Sequence, residues 1–391
     1  MIKLVRLVAL IGLVRLVRLV ALIGLVTSAL VGLVNAQNEG RDPVPVPDVP
    51  PYKTLKGDFH LHTVFSDGRV WPTVQVREAW RDGLDVISLT DHAEYHPNAP
   101  DVRVDGNRAY EVARPIADQL GILLIRGVEI TKPDPPAPSV LPDGSAHFNA
   151  LFVSDANALN TPELMQSLRA AKAQRAFVFW NHPRYGVDHA EWFRPIARAF
   201  DEGLFQGMEL VNGPDFYQEA YPWVAERKLT ILATSDGHDP MPSRATGFRR
   251  PITLLFVRSA DADGVRDALE ARRTAAWLGE DVWGAEEFLK GLWDGAISVR
   301  TEMRRTPGAG PMIVFKNASA IPMRVRIRQR PDWMRGGGGG LIPAQGELAL
   351  AVGFEKTAPT TGNFDVDLDV SNLHTAPERN LVVRIQLTLP G

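Results

Sequence analysis

The sequence predicts an α/β protein: a parallel, barrel-like sheet of roughly seven or eight strand–helix units, followed by a small antiparallel β-domain, sandwich-like in type. Three observations carry this. Between Leu55 and about Gly284, short apolar runs alternate with stretches of helical period. After Gly284 the period drops to two, most plainly in FDVDLDV (364–370) and LVVRIQLTL (381–389). Finally, the apolar runs Phe59–His62, Val86–His92, Ile122–Glu129, Phe177–His182 and Leu229–His238 each end on a histidine or a carboxylate or carry one at their end. A parallel barrel gathers the C-terminal ends of its strands at one rim, so these groups are expected to meet there.

In chain order, residues 1–36 read as a secretory signal. Lys3, Arg6, Arg15 and Arg18 precede the uncharged stretch Leu19–Val34, and Val34-Asn35-Ala36 offers a cleavage site before Gln37. Within this stretch LVRLVALIGLV occurs twice, at 4–14 and 16–26. The alternative is a retained membrane anchor, but the uncharged run falls short of the roughly 20 residues that span a bilayer. Membrane contact is therefore expected only through this segment before cleavage, and the mature protein in the periplasm or outside the cell. Gln37–Lys53 is rich in proline and reads as an extended linker or a wrapping arm.

From there the helical pattern falls on Val76–Gly83, Arg108–Leu120, Pro162–Ala173, His189–Phe200, Asp215–Arg227 and Ala260–Arg273. Further strands are expected at Phe148–Val153, Gly207–Val211 and Ile252–Val257. The proline-rich loop Thr131–Ser145 is long enough to serve the site. A connecting helix, Glu286–Leu292 or longer, leads into strands at Met312–Lys316, Met323–Gln329, Glu347–Gly353, Asn363–Val370 and Asn380–Leu389, with Gly336–Gly340 as a flexible loop. The domain boundaries expected are thus 37–54 for the arm, 55–284 for the barrel and 285–391 for the helix and β-domain.

With 391 residues, 45% of them apolar and 23% charged, the chain has ordinary globular composition. A formal net charge of −3 leaves no basic excess, so no specific nucleic-acid binding is expected. There is no cysteine, which excludes disulfides and thiolate sites; any metal must be held by nitrogen and oxygen.

The residues suited to that task recur in short motifs. They are His60-x-His62-Thr63-x-x-Ser66-Asp67-Gly68, Thr90-Asp91-His92, Gly127-Val128-Glu129, His147-x-Asn149, Asn181-His182-Pro183-Arg184 and Ser235-Asp236-Gly237-His238. Two histidines at i and i+2 leave one face of a strand and can grip one ion. Six of the nine histidines fall in these motifs; His96, His189 and His374 do not and read as surface residues.

Over residues 55–280 the order and spacing of the motifs resemble the PHP superfamily, named for polymerase and histidinol phosphatase domains. The resemblance implies a distorted (β/α)7 barrel whose mouth holds two or three divalent ions, of Zn, Mn or Fe type. It implies that His60, His62, Glu129 and Asp236 hold the first ion. Glu129 would bridge to a second, shared with His147 and His182, and Asp67, His92 and His238 would hold the third. His147 opens its apolar run, so its place rests on the resemblance. The wording GDFHLHTVFSDGRVWPT, FWNHPR and the trailing β-domain are similar to exported bacterial PHP proteins described as phosphodiesterases.

Clustered divalent ions suit phosphoester hydrolysis, with a bridging hydroxide attacking phosphorus in line. Asp236, His238 and Arg184 are expected to act on the reaction directly, Asp236 as a proton acceptor. Arg184 is the first candidate for the substrate phosphate, with Arg244, Arg249, Arg250 and Lys132 behind it. Asp91 and Asn181 are expected to orient the neighbouring histidines. The expected substrate is a small phosphoester, a diester before a monoester; a catalytically silent metal-binding scaffold is the remaining alternative. Trp71, Tyr95, Trp180, Tyr185 and Phe216 are expected near the rim, where a diester needs apolar surface.

Overall fold

The computed structural model describes residues 40–133, 145–242, 246–302, 311–359 and 361–389. The signal segment 1–36, most of the loop between Thr131 and Ser145, and Arg244 lie outside the described residues. Among the described residues no helix is long and apolar enough to cross a membrane.

In order, the barrel comprises β1 (Lys53–Asp58), α1 (Pro72–Arg81), β2 (Val86–Leu89), α2 (Arg108–Leu120), β3 (Leu123–Pro133), β4 (Ser145–Leu151), α3 (Leu164–Ala173), β5 (Phe177–Trp180), α4 (Arg194–Asp201), β6 (Gly207–Asn212), β7 (Asp215–Phe216), α5 (Tyr221–Arg227), β8 (Thr230–Thr234), β9 (Ile252–Val257), α6 (Ala262–Glu270), β10 (Thr274–Leu278) and β11 (Asp281–Gly284). The parallel order expected holds for β1–β2–β3 and for β5–β6–β8. Antiparallel pairs β3–β4, β4–β5, β1–β9 and β9–β10 break it, which is how this barrel is distorted. Side chains help bind β8 to its neighbours. Thr253 Oγ1 donates to the Ala233 carbonyl and accepts from its amide, and Thr274 Oγ1 donates to the Ile231 carbonyl.

Local chemistry sets the helix starts. Pro72 and Pro195 occupy the first turns of α1 and α4, where a missing N–H costs nothing, so α4 begins five residues later than the expected His189. Asp261 caps α6 by accepting the Gly264 amide at 2.7 Å. The helix expected from Asp215 begins at Tyr221. Asn212-Gly213, with Gly213 at φ +53°, instead turns the chain into the short β6–β7 hairpin.

After α7 (Glu286–Ala296) come β12 (Ile297–Glu302), β13 (Met312–Asn317), β14 (Met323–Gln329), β15 (Met334–Gly336), β16 (Gly339–Ile342), β17 (Glu347–Phe354), β18 (Asn363–Ala376) and β19 (Arg379–Thr388). They form two sheets, β16–β14–β18–β19 and β12–β13–β17–β15, whose inward residues Val325, Val366, Leu368 and Val383 share a core with Ile313, Phe315 and Leu350. Gly336–Gly340 is less of a loop than expected: Gly336 ends β15 and Gly339 opens β16, with only the two between them turning. The end of β18 also pairs in parallel with β11, Leu373 opposite Val282, so the two domains share one continuous sheet.

The proline-rich segment lies along α7. A Cβ on Gly291 would stand 2.3 Å from Val49, and one on Gly295 2.6 Å from Pro47, so both glycines form a notch that admits the arm. The Ala320 amide donates to the Pro45 carbonyl at 2.7 Å, and the Thr54 amide to Asp48 at 2.8 Å.

Candidate metal centre

Beyond β1 the alternation continues for four residues. Phe59 and Leu61 turn into the core, fully buried, while His60 and His62 share the opposite side, their Nε2 atoms 3.1 Å apart. Two nitrogens about 2.0–2.1 Å from one ion stand about 3 Å apart, so this spacing suits a shared ligand. Past β2, His92 bridges to Glu129 on β3; His147 lies on β4 and His182 just past β5. Asp236 and His238 follow β8, where Gly237 bridges to Leu61.

These side chains converge. Glu129 is the hub: one oxygen lies 3.2 Å from His62 Nε2, 3.4 Å from His60 Nε2 and 3.2 Å from His92 Nδ1. Its other oxygen lies 3.2 Å from His147 Nδ1 and 3.5 Å from His182 Nε2. Asp236 Oδ1 is 3.2 Å from both His60 and His62. Asp67 completes a group with His62, His92 and His238 at 3.3, 3.5 and 3.3 Å. Four such groups place one donor atom from each member within 4.8 Å of the others: His60–His62–Glu129, His60–His182–Asp236, Glu129–His147–His182 and His62–Asp67–His92–His238. All nine predicted ligands are members. His62 and His182 each enter two groups, which the sequence-based partition into three sets does not foresee.

Burial lowers the His60 and His62 imidazoles, but the surrounding carboxylates outweigh it and hold both well above the ordinary histidine value. Burial conversely raises Glu129, Asp67 and Asp236, and the facing histidines bring all three well below the ordinary carboxylate range. One observation tests whether cations fit. Asp67 Oδ1 and Asp236 Oδ1 are buried and make no hydrogen bond, although imidazole nitrogens stand 3.2–3.3 Å away. Donor and acceptor axes do not point at each other. They converge on the spaces between them, as lone pairs around an ion do. The donor set, all nitrogen and oxygen, fits divalent metals.

No family model matches the chain. A crystal structure from Bacteroides vulgatus, a two-domain protein containing a predicted PHP-like metal-dependent phosphoesterase, superposes with TM-score 0.80 at 36% identity, covering 89% of this chain and 99% of that one. The chain belongs to the PHP superfamily. Among curated proteins it is 23% identical over 225 residues to the DNA polymerase/3'-5' exonuclease PolX of Bacillus subtilis. It is 36% identical over 78 residues to a 5'-3' exoribonuclease of Haemophilus influenzae. It spans only 37% and 24% of the lengths of those two relatives.

Around the PHP centre lies a second layer that the motifs only partly announce. Glu209 on β6 is fully buried and was not singled out in the sequence, although a lone acid inside GMELVN was the available signal. It accepts from His60 Nδ1 at 2.7 Å, the His182 amide at 2.5 Å, Asn212 Nδ2 at 2.9 Å and Thr234 Oγ1 at 2.6 Å. The Nδ1 proton of His60 is thereby fixed, and its Nε2 lone pair faces the cluster. His182 and Asp236 have φ of 26° and 52°, a region that costs a non-glycine residue about 1–3 kcal/mol. The Glu209 contact helps hold His182 there.

Asp91 and Asn181 act elsewhere than on the adjacent rings. Asp91 accepts from the Thr63 amide and hydroxyl and from Ser66 Oγ, locking the turn that carries Asp67. The His92 ring is instead held by Thr131 Oγ1 at 3.0 Å. Asn181 donates to Glu129 at 2.9 Å, so it orients the hub carboxylate. Burial pushes the Glu94 carboxyl up to about 7, one of its oxygens accepting the Thr131 amide.

The candidate phosphate cations fare differently from the ligands. Arg184 stands over the Tyr217 ring and faces Asp215 and Glu219 at 3.4 and 3.7 Å, which already offset its charge. Lys132 donates to Asn160 Oδ1 and the Thr161 carbonyl. Arg249 is exposed and donates to its neighbour's carbonyl. Arg250 is a structural residue, buried between Asp58 at 2.8 Å and Asp82 at 3.2 Å, with Asp58 also accepting from Ser235. Of the aromatics, Tyr95 and Tyr185 stand against ligand histidines. Trp71 packs on Phe65, two residues before Asp67. Trp180 is core, stacked on Trp223 at 5.7 Å, and Phe216 stacks on Trp283 at 4.4 Å. His374, expected at the surface, stacks on that same Trp283 and binds Asp281 at 2.8 Å, and the His96 ring lies between the Phe65 and Ala93 carbonyls.

Proposed function

We propose that this protein is an exported phosphodiesterase that cleaves a small phosphoester at a centre of two or three divalent ions, with His60, His62, Asp67, His92, Glu129, His147, His182, Asp236 and His238 as their ligands. The observation that carries the reading is Glu129, whose two oxygens face two different histidine sets at 3.2–3.5 Å. A carboxylate so placed suits a bridge between neighbouring cations. When bound, ions of Zn, Mn or Fe type supply charge neutralisation to phosphoryl oxygens and acidify a water.

The chain's own residues do the rest. Glu209 and Asn181 fix His60 and Glu129, so the pocket is set before substrate arrives. Asp236 keeps its side chain partly open, 22% exposed against 1% for Glu129, and is the carboxylate suited to receive a proton from the attacking water. His238, also open, faces the same side through Asp67. Arg184 would have to leave Asp215 and Glu219 to reach a phosphate, so its part in binding is secondary.

Diester chemistry is favoured over monoester chemistry because both curated relatives are named for nuclease activity, which breaks diesters. Export rests on residues 1–36; a mature N-terminus near Gln37 in a secreted or periplasmic fraction tests it. The activity is tested on metal-loaded protein with bis(p-nitrophenyl) phosphate beside p-nitrophenyl phosphate. The diester should turn over faster, and His60→Ala or His182→Ala should abolish turnover without unfolding the chain. Faster monoester cleavage would make it a phosphatase; neither reaction with metals bound would make it a scaffold.

A further inference from the structure

Six large apolar side chains are conspicuously exposed among the described residues, and two of them, Tyr95 and Tyr185, touch the metal-site histidines directly. Tyr95 is 54% exposed and meets the His92 ring edge to face at 6.0 Å. Tyr185 is 51% exposed and leans on His147 at 4.8 Å and on His182 at 5.0 Å. The two tyrosines thus mark different flanks of the cluster. His92 belongs to the group around Asp67, whereas His147 and His182 belong to the group around the other oxygen of Glu129. The His92 and His147 rings are themselves 6.4 Å apart.

Leaving aromatic surface in water beside a pocket of charges is unfavourable in the free protein. It becomes useful if a bound molecule covers it. A phosphorus seated among the ligands has its two ester oxygens directed apart, one to each flank. A ring backed by an imidazole is held at a fixed tilt, so stacking on it costs little further ordering. From this geometry we infer that Tyr95 and Tyr185 form a clamp that selects diesters bearing a planar, unsaturated group on both ester oxygens, aryl or nucleobase in kind. The inference rests on the phosphoester reading for its site but not for its test. Tyr95 and Tyr185 are specificity residues here, and a diester with small aliphatic groups should gain nothing from them.

The test compares binding of diphenyl phosphate and dimethyl phosphate, equal in charge and different in rings, by calorimetry on the metal-loaded protein. Stacking of a base on an aromatic side chain is commonly worth a factor of about ten or more. The wild type should bind diphenyl phosphate at least tenfold more tightly. Tyr95→Ala and Tyr185→Ala should each reduce that preference about fivefold and the double variant should nearly remove it, with dimethyl phosphate unaffected. Tyr95→Phe and Tyr185→Phe should keep the preference, which separates the ring from its hydroxyl. Equal binding of the two ligands by the wild type, or a preference that survives in the double alanine variant, overturns the clamp. The failures are separable. Diester turnover without ring preference sinks the clamp alone. Ring preference that depends on the tyrosines, with no ester cleaved under any metal, sinks the hydrolase reading alone.

Discussion

The barrel mouth and the outer face of the β-domain are both dense in opposite charges, and they use them in opposite ways. On β14, β18 and β19 the pairs are exposed and complete: Arg384 grips Asp367 at 2.7 and 3.1 Å, and Arg324 reaches Glu280 at 2.6 Å. Water already solvates these groups, so each pair adds little. At the mouth the carboxylates are buried and their contacts are near but misaligned, as at Asp67 Oδ1 and Asp236 Oδ1. Removed from water and not satisfied by one another, they create a demand that a cation meets. Charge density alone therefore does not mark a site. Burial combined with incomplete pairing does.

Stripping the metals should give the largest effect. Chelation should abolish turnover and lower the melting temperature, since a ligand at about 1,000 times its Kd stabilises by about 4 kcal/mol. Unchanged activity and melting with the ions gone would remove the contrast. Next in size, Arg250→Ala leaves Asp58 and Asp82 buried without their partner and should cost about 3–5 kcal/mol in denaturant titration. Glu209→Gln keeps the shape but weakens the hold on His60. It should reduce metal affinity about 10–100-fold, read by competition with a chromogenic chelator, while the fold persists. Arg184→Ala should raise KM a few-fold with kcat nearly unchanged, because Asp215 and Glu219 already balance the guanidinium. Smallest of all, Arg384→Ala on the β-domain should leave the melting curve unmoved. A loss there as large as that of Arg250→Ala would erase the distinction between the two faces.

Much of the mouth was legible because its ligands end apolar runs: a strand cannot place His60 and His62 two apart without presenting both to one side. The alternation of FDVDLDV announced β18 in the same way. What stayed hidden depends on partners far away in the chain. Glu209 resembles any acid near a strand end until His60, 149 residues earlier, is found against it. Arg250 reads as one of a basic run, Phe248-Arg249-Arg250, and only Asp58 and Asp82 make it internal. The β6–β7 hairpin was masked by the apolar period of Phe216–Val224, which outweighed the Asn-Gly turn in a reading by pattern. The pairing of β18 with β11 across ninety residues has no local signature at all.

The notch at Gly291 and Gly295 carries a practical corollary. Val49 and Pro47 fill grooves that exist only because those positions lack side chains, and Pro45 ties the same strap to Ala320 in the sandwich. A recombinant version begun at Tyr52 would keep every metal ligand yet lose this keel along α7. It would expose the apolar crevice and loosen the seam between catalytic and accessory halves, whereas one begun at Pro43 should not.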